Sequence, residues 1–105
     1  MTTLQKRWFH ATTKKGWKEI QEEGVLWGAA YRGERETYLA RNIEELINFI
    51  SGPVSNVVGD LRKCQLVLSV KYTPNGVDDD FNPKSWEMVV KKPITLDKVR
   101  LIRYL

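Results

Sequence analysis

The stretch Leu61–Tyr72, LRKCQLVLSVKY, predicts the strand around which this chain folds. Its alternate side chains share one face of a strand, and four of them are large and apolar: Leu66, Leu68, Val70 and Tyr72. Val67 adds an apolar side chain to the opposite face. Because both faces carry apolar residues, we expect a central strand that is covered on both sides.

Two helices are predicted upstream of this strand. Thr12 and Thr13 offer an N-cap for a helix from about Lys14 to Glu23, and Gly24 is placed to end it in a left-handed conformation. Asn42 caps the second helix, and Gly52–Pro53 ends it. The second helix carries apolar residues at helical spacing: Ile43, Leu46, Ile47 and Ile50.

The remaining segments favour strands joined by loops. We predict strands at Gln5–His10, Val25–Trp27, Thr37–Arg41, Trp86–Lys91 and Lys98–Leu105. Pro74–Pro83 is rich in Asp, Asn, Gly and Pro and is predicted as a loop. Leaving out the short segment at Val25, the order is β-α-β-α-β-β-β. This order predicts the α+β class, with helices packed on a mixed or antiparallel sheet.

Length and composition fit one cytoplasmic domain. The chain has 105 residues, 42% hydrophobic and 29% charged, which is the size and balance of one globular domain, residues 1–105. Its single cysteine, Cys64, allows no disulfide within the chain, and we expect it buried at the start of a strand. Met1–Lys6 lack the apolar segment of a signal peptide, and no apolar run is long enough to span a membrane. With one histidine and one cysteine we expect no metal site.

Three polar residues are candidates for chemistry. His10 is the only histidine and ends a predicted strand, Tyr38 lies in a short strand, and Glu87 lies in another. Alternation places Glu87 on the face opposite Trp86, Met88 and Val90. Each has an ordinary structural explanation: a histidine satisfied by a backbone carbonyl, a rim aromatic, and a solvent-facing charge. In a cleft they would bind a ribose, stack on a heterocycle and stabilise a developing positive charge.

The order of these residues, with their neighbours, resembles the ADP-ribosyltransferase superfamily. The matching pieces are His10-Ala11-Thr12, Ile20 to Val25, Tyr38-Leu39-Ala40, and Glu87 through Val99. They are similar to the branch whose signature is His-Tyr-Glu, which diphtheria-toxin-like and poly(ADP-ribose)-polymerase-like enzymes share. Related clefts occur in RNA 2′-phosphotransferases.

The resemblance implies that NAD is the substrate and that the catalytic residues are His10, Tyr38 and Glu87. His10 would bind the NAD ribose, Ala11 would offer its backbone to the nicotinamide amide, and Tyr38 would stack on the nicotinamide. Glu87 would hold the nicotinamide ribose and stabilise an oxocarbenium-like transition state. The implied NAD-binding set also includes Thr12, Arg32, Arg35 and Arg41, with the arginines meeting phosphates or else remaining solvated surface charges.

Two positions depart from the family pattern and leave three functions open. Ala11 replaces the usual glycine after the histidine, and Ser85 stands where arginine-modifying members carry Glu. The first function is transfer of ADP-ribose from NAD to a protein, a nucleic acid or water. The second is an RNA-directed activity such as 2′-phosphotransfer, which the net charge of +4 favours. The third is a non-catalytic nucleotide-binding or interaction domain.

Overall fold

A computed structural model describes residues 7–28, 30–31, 34–51, 64–82 and 84–104 of the chain. The predicted positions 5–6, 52–53, 61–63 and 105 lie outside these ranges. In chain order the elements are β1 Arg7–Thr12, α1 Lys14–Glu23, β2 Val25–Leu26, β3 Ala30–Tyr31, β4 Glu34–Arg35, β5 Thr37–Ala40, α2 Ile43–Ser51, β6 Leu66–Lys71, β7 Asp79–Asp80, β8 Glu87–Val90, β9 Ile94–Thr95, a 3-10 helix Leu96–Lys98, and β10 Val99–Tyr104.

The main sheet has six strands in the order β10-β6-β1-β5-β8-β7, and every neighbouring pair is antiparallel. Two further antiparallel pairs are β2 with β9 and β3 with β4. With two α-helices in the described residues, this confirms the predicted α+β class, and of the two predicted sheet types, mixed or antiparallel, the described strands form the antiparallel one. β6 lies between β10 and β1, and Val67 and Leu68, on opposite faces, are both fully buried. The prediction of a central, doubly covered strand is therefore confirmed.

The structure adds short strands that the sequence pattern did not show. β3, β4, β7 and β9 have two residues each, which is too short for any periodicity to appear. β1 also continues to Thr12, because Ala11 and Thr12 pair with Val67 and Leu66 of β6. The prediction that His10 ends its strand was therefore wrong: His10 is an interior strand residue.

The two faces of the sheet carry separate clusters of buried apolar side chains. The first cluster joins Trp8, Leu39, Leu68 and Met88 to Ile20 of α1. The second joins Val67 and Ala40 to α2, and includes the half-buried Cys64 and Trp86. Trp86 was predicted on the face of Met88, but its ring packs 5.3 Å from that of Phe49. The bend at Trp86, just before β8, breaks the alternation on which that prediction relied.

Both helices begin as the local sequence predicts. The Thr13 side chain accepts a hydrogen bond from the Gly16 amide at 2.9 Å, and Gly24 ends α1 at φ 83°. In α2 the Asn42 side chain accepts from the Glu45 amide at 2.8 Å. Gly16 is a weak helix former, but a Cβ there would collide with the Thr12 hydroxyl. The glycine thus lets α1 start directly against the end of β1.

Gly28 fastens the segment after β2 to β5. Its amide donates to the Thr37 hydroxyl at 2.9 Å, and Thr37 is fully buried. A Cβ at Gly28 would overlap the backbone carbonyl of Glu36. Because the Glu36 carbonyl belongs to the backbone that joins β4 to β5, it cannot rotate away like a flexible side chain, and this close approach requires glycine.

We therefore expect Gly28→Ala to lower the free energy of unfolding by about 3 kcal/mol, as for a severe overpacking substitution. Gly24→Ala is the matched control, since a Cβ there meets no atom within 4 Å and only the left-handed backbone is strained. Its expected cost is about 1 kcal/mol. Urea denaturation followed by circular dichroism measures both, and a Gly28→Ala cost no larger than that of Gly24→Ala would contradict this packing.

Candidate functional site

The candidate site lies where the two halves of the sheet meet. β1 pairs with β6 at six positions and β5 pairs with β8 at four, but β1 and β5 are paired only at Phe9 and Ala40. Among the described residues the two strands share no other ladder position, so the backbone ladder of the sheet is interrupted beside this pair. We call this interruption the β1–β5 gap, and it has β1 on one side and β5, followed by β8, on the other.

His10 crosses the β1–β5 gap. Its Nδ1 lies 2.8 Å from the Tyr38 carbonyl oxygen, so an imidazole takes the place of a strand-to-strand backbone bond. Burial lowers the pKa of His10, and the bond to the Tyr38 carbonyl opposes that shift only in part. The neutral ring must therefore donate from Nδ1, which leaves Nε2 with a lone pair. This bond is also the ordinary structural role that the sequence analysis gave as the alternative for His10, a histidine satisfied by a backbone carbonyl.

Tyr38 and Glu87 are neighbours on one face of the sheet. Tyr38 pairs with Val89 and Ala40 pairs with Glu87, so Tyr38 and Glu87 are diagonal neighbours on adjacent strands. Such side chains are separated by roughly 7 Å and lie within reach of each other when one is aromatic. Tyr38 is 48% exposed, which is unusual for a large aromatic residue in a strand. The arrangement presents an accessible ring beside a carboxylate.

Glu87 is only partly in contact with water. It is half-buried, and burial raises the pKa of its carboxyl group above the ordinary value. Its backbone amide donates to the Ser85 hydroxyl at 3.2 Å, which fixes the start of β8. A carboxylate with little surrounding water interacts more strongly with a nearby positive charge than a fully solvated one does.

The three candidate residues lie on adjacent strands but not on one face. His10 alternates with Phe9 and so belongs to the face of Trp8 and α1, whereas Tyr38 and Glu87 belong to the face of α2. The structure thus brings Tyr38 and Glu87 together directly. It connects His10 to them through the β1–β5 gap, by the bond to the Tyr38 backbone. Two surface hollows, of about 510 and 620 Å³, lie elsewhere, beside β6 and β10.

The other residues in the predicted NAD-binding set occupy structural positions in β1. Ala11 pairs with Val67, and its side chain packs in the second cluster. Thr12 is buried, with its hydroxyl at the start of α1, and its carbonyl accepts from the Gln65 amide at 3.2 Å. Ala11 lies on the same face of the sheet as Tyr38 and Glu87, whereas Thr12 lies on the opposite face.

Arg35 connects three parts of the chain. Its guanidinium binds both carboxylate oxygens of Glu23, at 2.7 and 3.2 Å, and donates to the carbonyls of Trp27 and Gly28. It also stacks 4.6 Å from the Trp27 ring centre. We call this set of contacts the Arg35 clamp. It occupies the guanidinium N–H donors that were predicted to bind a phosphate. A phosphate would have to displace Glu23.

Of the two other arginines that were predicted to bind phosphates, Arg41 lies in the described residues and Arg32 does not. Arg41 is half-buried, and its guanidinium lies 6.0 Å from the centre of the Phe81 ring. Its amide donates to the Trp86 carbonyl at 2.7 Å, which continues the pairing of β5 with β8. Arg32 lies outside the described residues.

Sequence reasoning missed Glu36. The Tyr38 hydroxyl donates to the Glu36 carboxylate at 3.2 Å, which holds the exposed ring in one orientation. In an extended chain, residues two apart point the same way, so the spacing Glu36–Tyr38 contained the signal. It is a weak signal, because any carboxylate two residues from a tyrosine in a strand produces it.

Comparisons with protein-family models, with curated proteins and with solved structures found no match. Within the part of the chain that the structure describes, no three His, Cys, Asp or Glu side chains are grouped to hold a metal ion. Among the same residues, no helix is long and apolar enough to cross a membrane. The site must therefore be interpreted from its own residues.

The lowered pKa of His10 predicts a pH-dependent stability. Because the pKa of folded His10 is lowered, the unfolded chain binds the proton first, and stability is lost as pH falls from the unfolded value of 6.5 through the folded one. The slope approaches about 1.4 kcal/mol per pH unit within that window. His10→Gln, which keeps a donor for the Tyr38 carbonyl, should abolish this slope.

Urea denaturation from pH 7.5 to pH 5 measures the effect. The raised pKa of Glu87 produces the opposite slope at lower pH, so Glu87→Gln is the control that isolates the histidine. Equal pH slopes in the wild type and in His10→Gln would show that the imidazole does not occupy a buried, neutral position.

Proposed function

We propose that this chain is an ADP-ribosyltransferase-like protein that binds NAD at the β1–β5 gap and transfers ADP-ribose to an acceptor. The observation that carries the proposal is the placement of His10, Tyr38 and Glu87 on three adjacent strands, β1, β5 and β8, around that gap. The same three residues, in the same order, carry the resemblance of the sequence to the His-Tyr-Glu branch of the ADP-ribosyltransferase superfamily. Strand adjacency supports the resemblance because residues 10, 38 and 87 are far apart in the chain.

Tyr38 and Glu87 supply the two interactions that cleavage of NAD requires. The exposed Tyr38 ring, held by Glu36, offers a flat surface on which nicotinamide stacks. When the bond between ribose C1′ and the nicotinamide nitrogen breaks, the electron pair leaves with nicotinamide and positive charge develops on the sugar. The half-buried Glu87 carboxylate stabilises that charge until the acceptor bonds to C1′ and releases its proton.

His10 contributes binding rather than acid–base chemistry. Its Nδ1 proton is committed to the Tyr38 carbonyl, so the free Nε2 accepts a hydrogen bond from a ribose hydroxyl. The same bond ties the position of the imidazole to the backbone of the residue that stacks on nicotinamide. A ligand that contacts all three side chains must pass through the gap, because His10 approaches from the opposite face.

One observation favours a second candidate, a domain that binds the nucleotide without cleaving it. His10 lies on the opposite face of the sheet from Tyr38 and Glu87, so the three side chains do not gather on one face in this structure. Such an arrangement can bind a ligand without surrounding it with the groups that exclude water from a reaction. The two candidates share the binding residues and differ only in turnover.

Release of nicotinamide from labelled NAD separates these candidates. We expect release by the wild type, a loss of about 100-fold in Glu87→Gln, and a retained thermal shift with NAD in that variant. Glu44→Gln, an exposed carboxylate on α2, is the matched control and should behave as the wild type. Tyr38→Ala should lose the thermal shift because it removes the stacking surface.

The outcomes distinguish the candidates. A thermal shift with NAD but no release by the wild type identifies the non-catalytic domain. Neither a shift nor release, from a chain whose circular dichroism shows it folded, rejects both. Release that is unchanged in Glu87→Gln rejects the catalytic assignment of that carboxylate.

A further inference from the structure

Two adjoining hollows lie beside β6 and β10, away from the β1–β5 gap. Their volumes are about 510 and 620 Å³, and they share Lys71, Asp97 and Lys98. The first hollow is bordered by four basic residues, one acidic residue and one hydroxyl. We call it the basic groove and define it by Arg7, Ser69, Lys71, Asp97, Lys98 and Arg100.

The register of the sheet sets the basic residues on one face. Arg7 of β1 is directly opposite Lys71 of β6, and Arg100 of β10 is directly opposite Ser69. Directly paired residues point the same way, and Ser69 and Lys71 are two apart on one strand. Arg7 and Arg100 are therefore on the same side of the sheet, about 12 Å apart, since two strand spacings and two residues along the strands separate them. Lys98 joins them from the 3-10 helix.

The basic groove concentrates the charge of the chain. The four cations, all exposed, share the groove with one carboxylate, Asp97, whereas the whole chain has a net charge of +4. Lys92 borders the second hollow but is paired with Asp78 at 3.1 Å, so we leave it out. Among the described lining residues the groove therefore has an excess of three positive charges, four cations against one carboxylate. Like charges gathered in a concavity attract and hold an anion.

Arg7 is held in a fixed orientation in the groove. Its Nε donates to the Ser69 hydroxyl at 3.0 Å, and its guanidinium lies 5.9 Å from the centre of the Phe9 ring. A stacked guanidinium is a planar group that binds phosphate oxygens in pairs and also stacks on a nucleobase. A lysine ammonium neither binds phosphate oxygens in pairs nor stacks on a nucleobase.

We propose that the basic groove binds the phosphodiester backbone of a single-stranded nucleic acid, without sequence preference. Single-stranded nucleic acids are bound in positively charged grooves that follow their backbone, and the basic groove offers such a surface. Arg7 favours a nucleic acid over an acidic peptide because its planar guanidinium can stack on a base as well as bind an anion. The inference uses none of His10, Tyr38 and Glu87, so it stands or fails independently of NAD binding.

Fluorescence anisotropy of the full chain with a labelled 20-nucleotide oligo(dT) tests the proposal. Four phosphate contacts predict a slope of about −2.8 for the logarithm of the binding constant against that of the salt concentration. Affinity should therefore fall about 50-fold between 50 and 200 mM salt. Lys71→Gln with Arg100→Gln removes two contacts, and should reduce the slope to about −1.4 and the affinity at 50 mM salt at least tenfold.

Two further variants keep the test decisive. Lys15→Gln with Lys18→Gln, two exposed residues of α1, changes the net charge equally and should alter the affinity less than twofold. Asp97→Asn removes the one carboxylate of the groove and should tighten binding at least twofold.

An equal loss in the α1 control, or no gain in Asp97→Asn, would overturn the assignment of the groove. Equally tight binding of a 20-base-pair duplex or of polyglutamate would overturn the single-stranded ligand.

Discussion

The contact between β1 and β5 is the constraint on which the candidate site depends. Among the described residues, β1 and β5 are hydrogen-bonded through one strand pair, Phe9 with Ala40, and one side-chain bond, between His10 and the Tyr38 carbonyl. A longer ladder would close the β1–β5 gap and leave no room for a ligand between the strands. A protonated His10 would place a charge where burial opposes it. The junction therefore requires a neutral imidazole.

The rest of the fold holds the two halves in register on either side of that junction. β6, paired on both edges and buried on both faces, fixes β1 and β10, while β8 fixes β5. The segment between α1 and β5 is held at both ends. The Arg35 clamp binds it to Glu23 at the end of α1, and Gly28 binds it to Thr37 of β5. β1 belongs to both surfaces described above, since it carries Arg7 in the basic groove and His10 at the gap.

The sequence predicted those features that depend on near neighbours. The caps at Thr13 and Asn42 and the left-handed Gly24 were readable because each acts within one helical turn. Adjacent-strand placement of His10, Tyr38 and Glu87 was suggested only by resemblance. The face of His10 relative to Tyr38 was not predictable, because alternation orders side chains along one strand but does not relate two strands. Trp86 was placed on the wrong face because a bend interrupts the strand pattern there.

By itself, then, the sequence determined two capped helices, an apolar central strand and the α+β class, since local hydrogen bonds and hydrophobic periodicity encode them. Long-range packing establishes that β1 and β5 meet at one position, that Arg35 binds Glu23, and that Arg7, Lys71 and Arg100 share a face. These contacts join residues 12 to more than 60 positions apart. Which distant strands pair is settled by how the buried faces of the whole chain fit together.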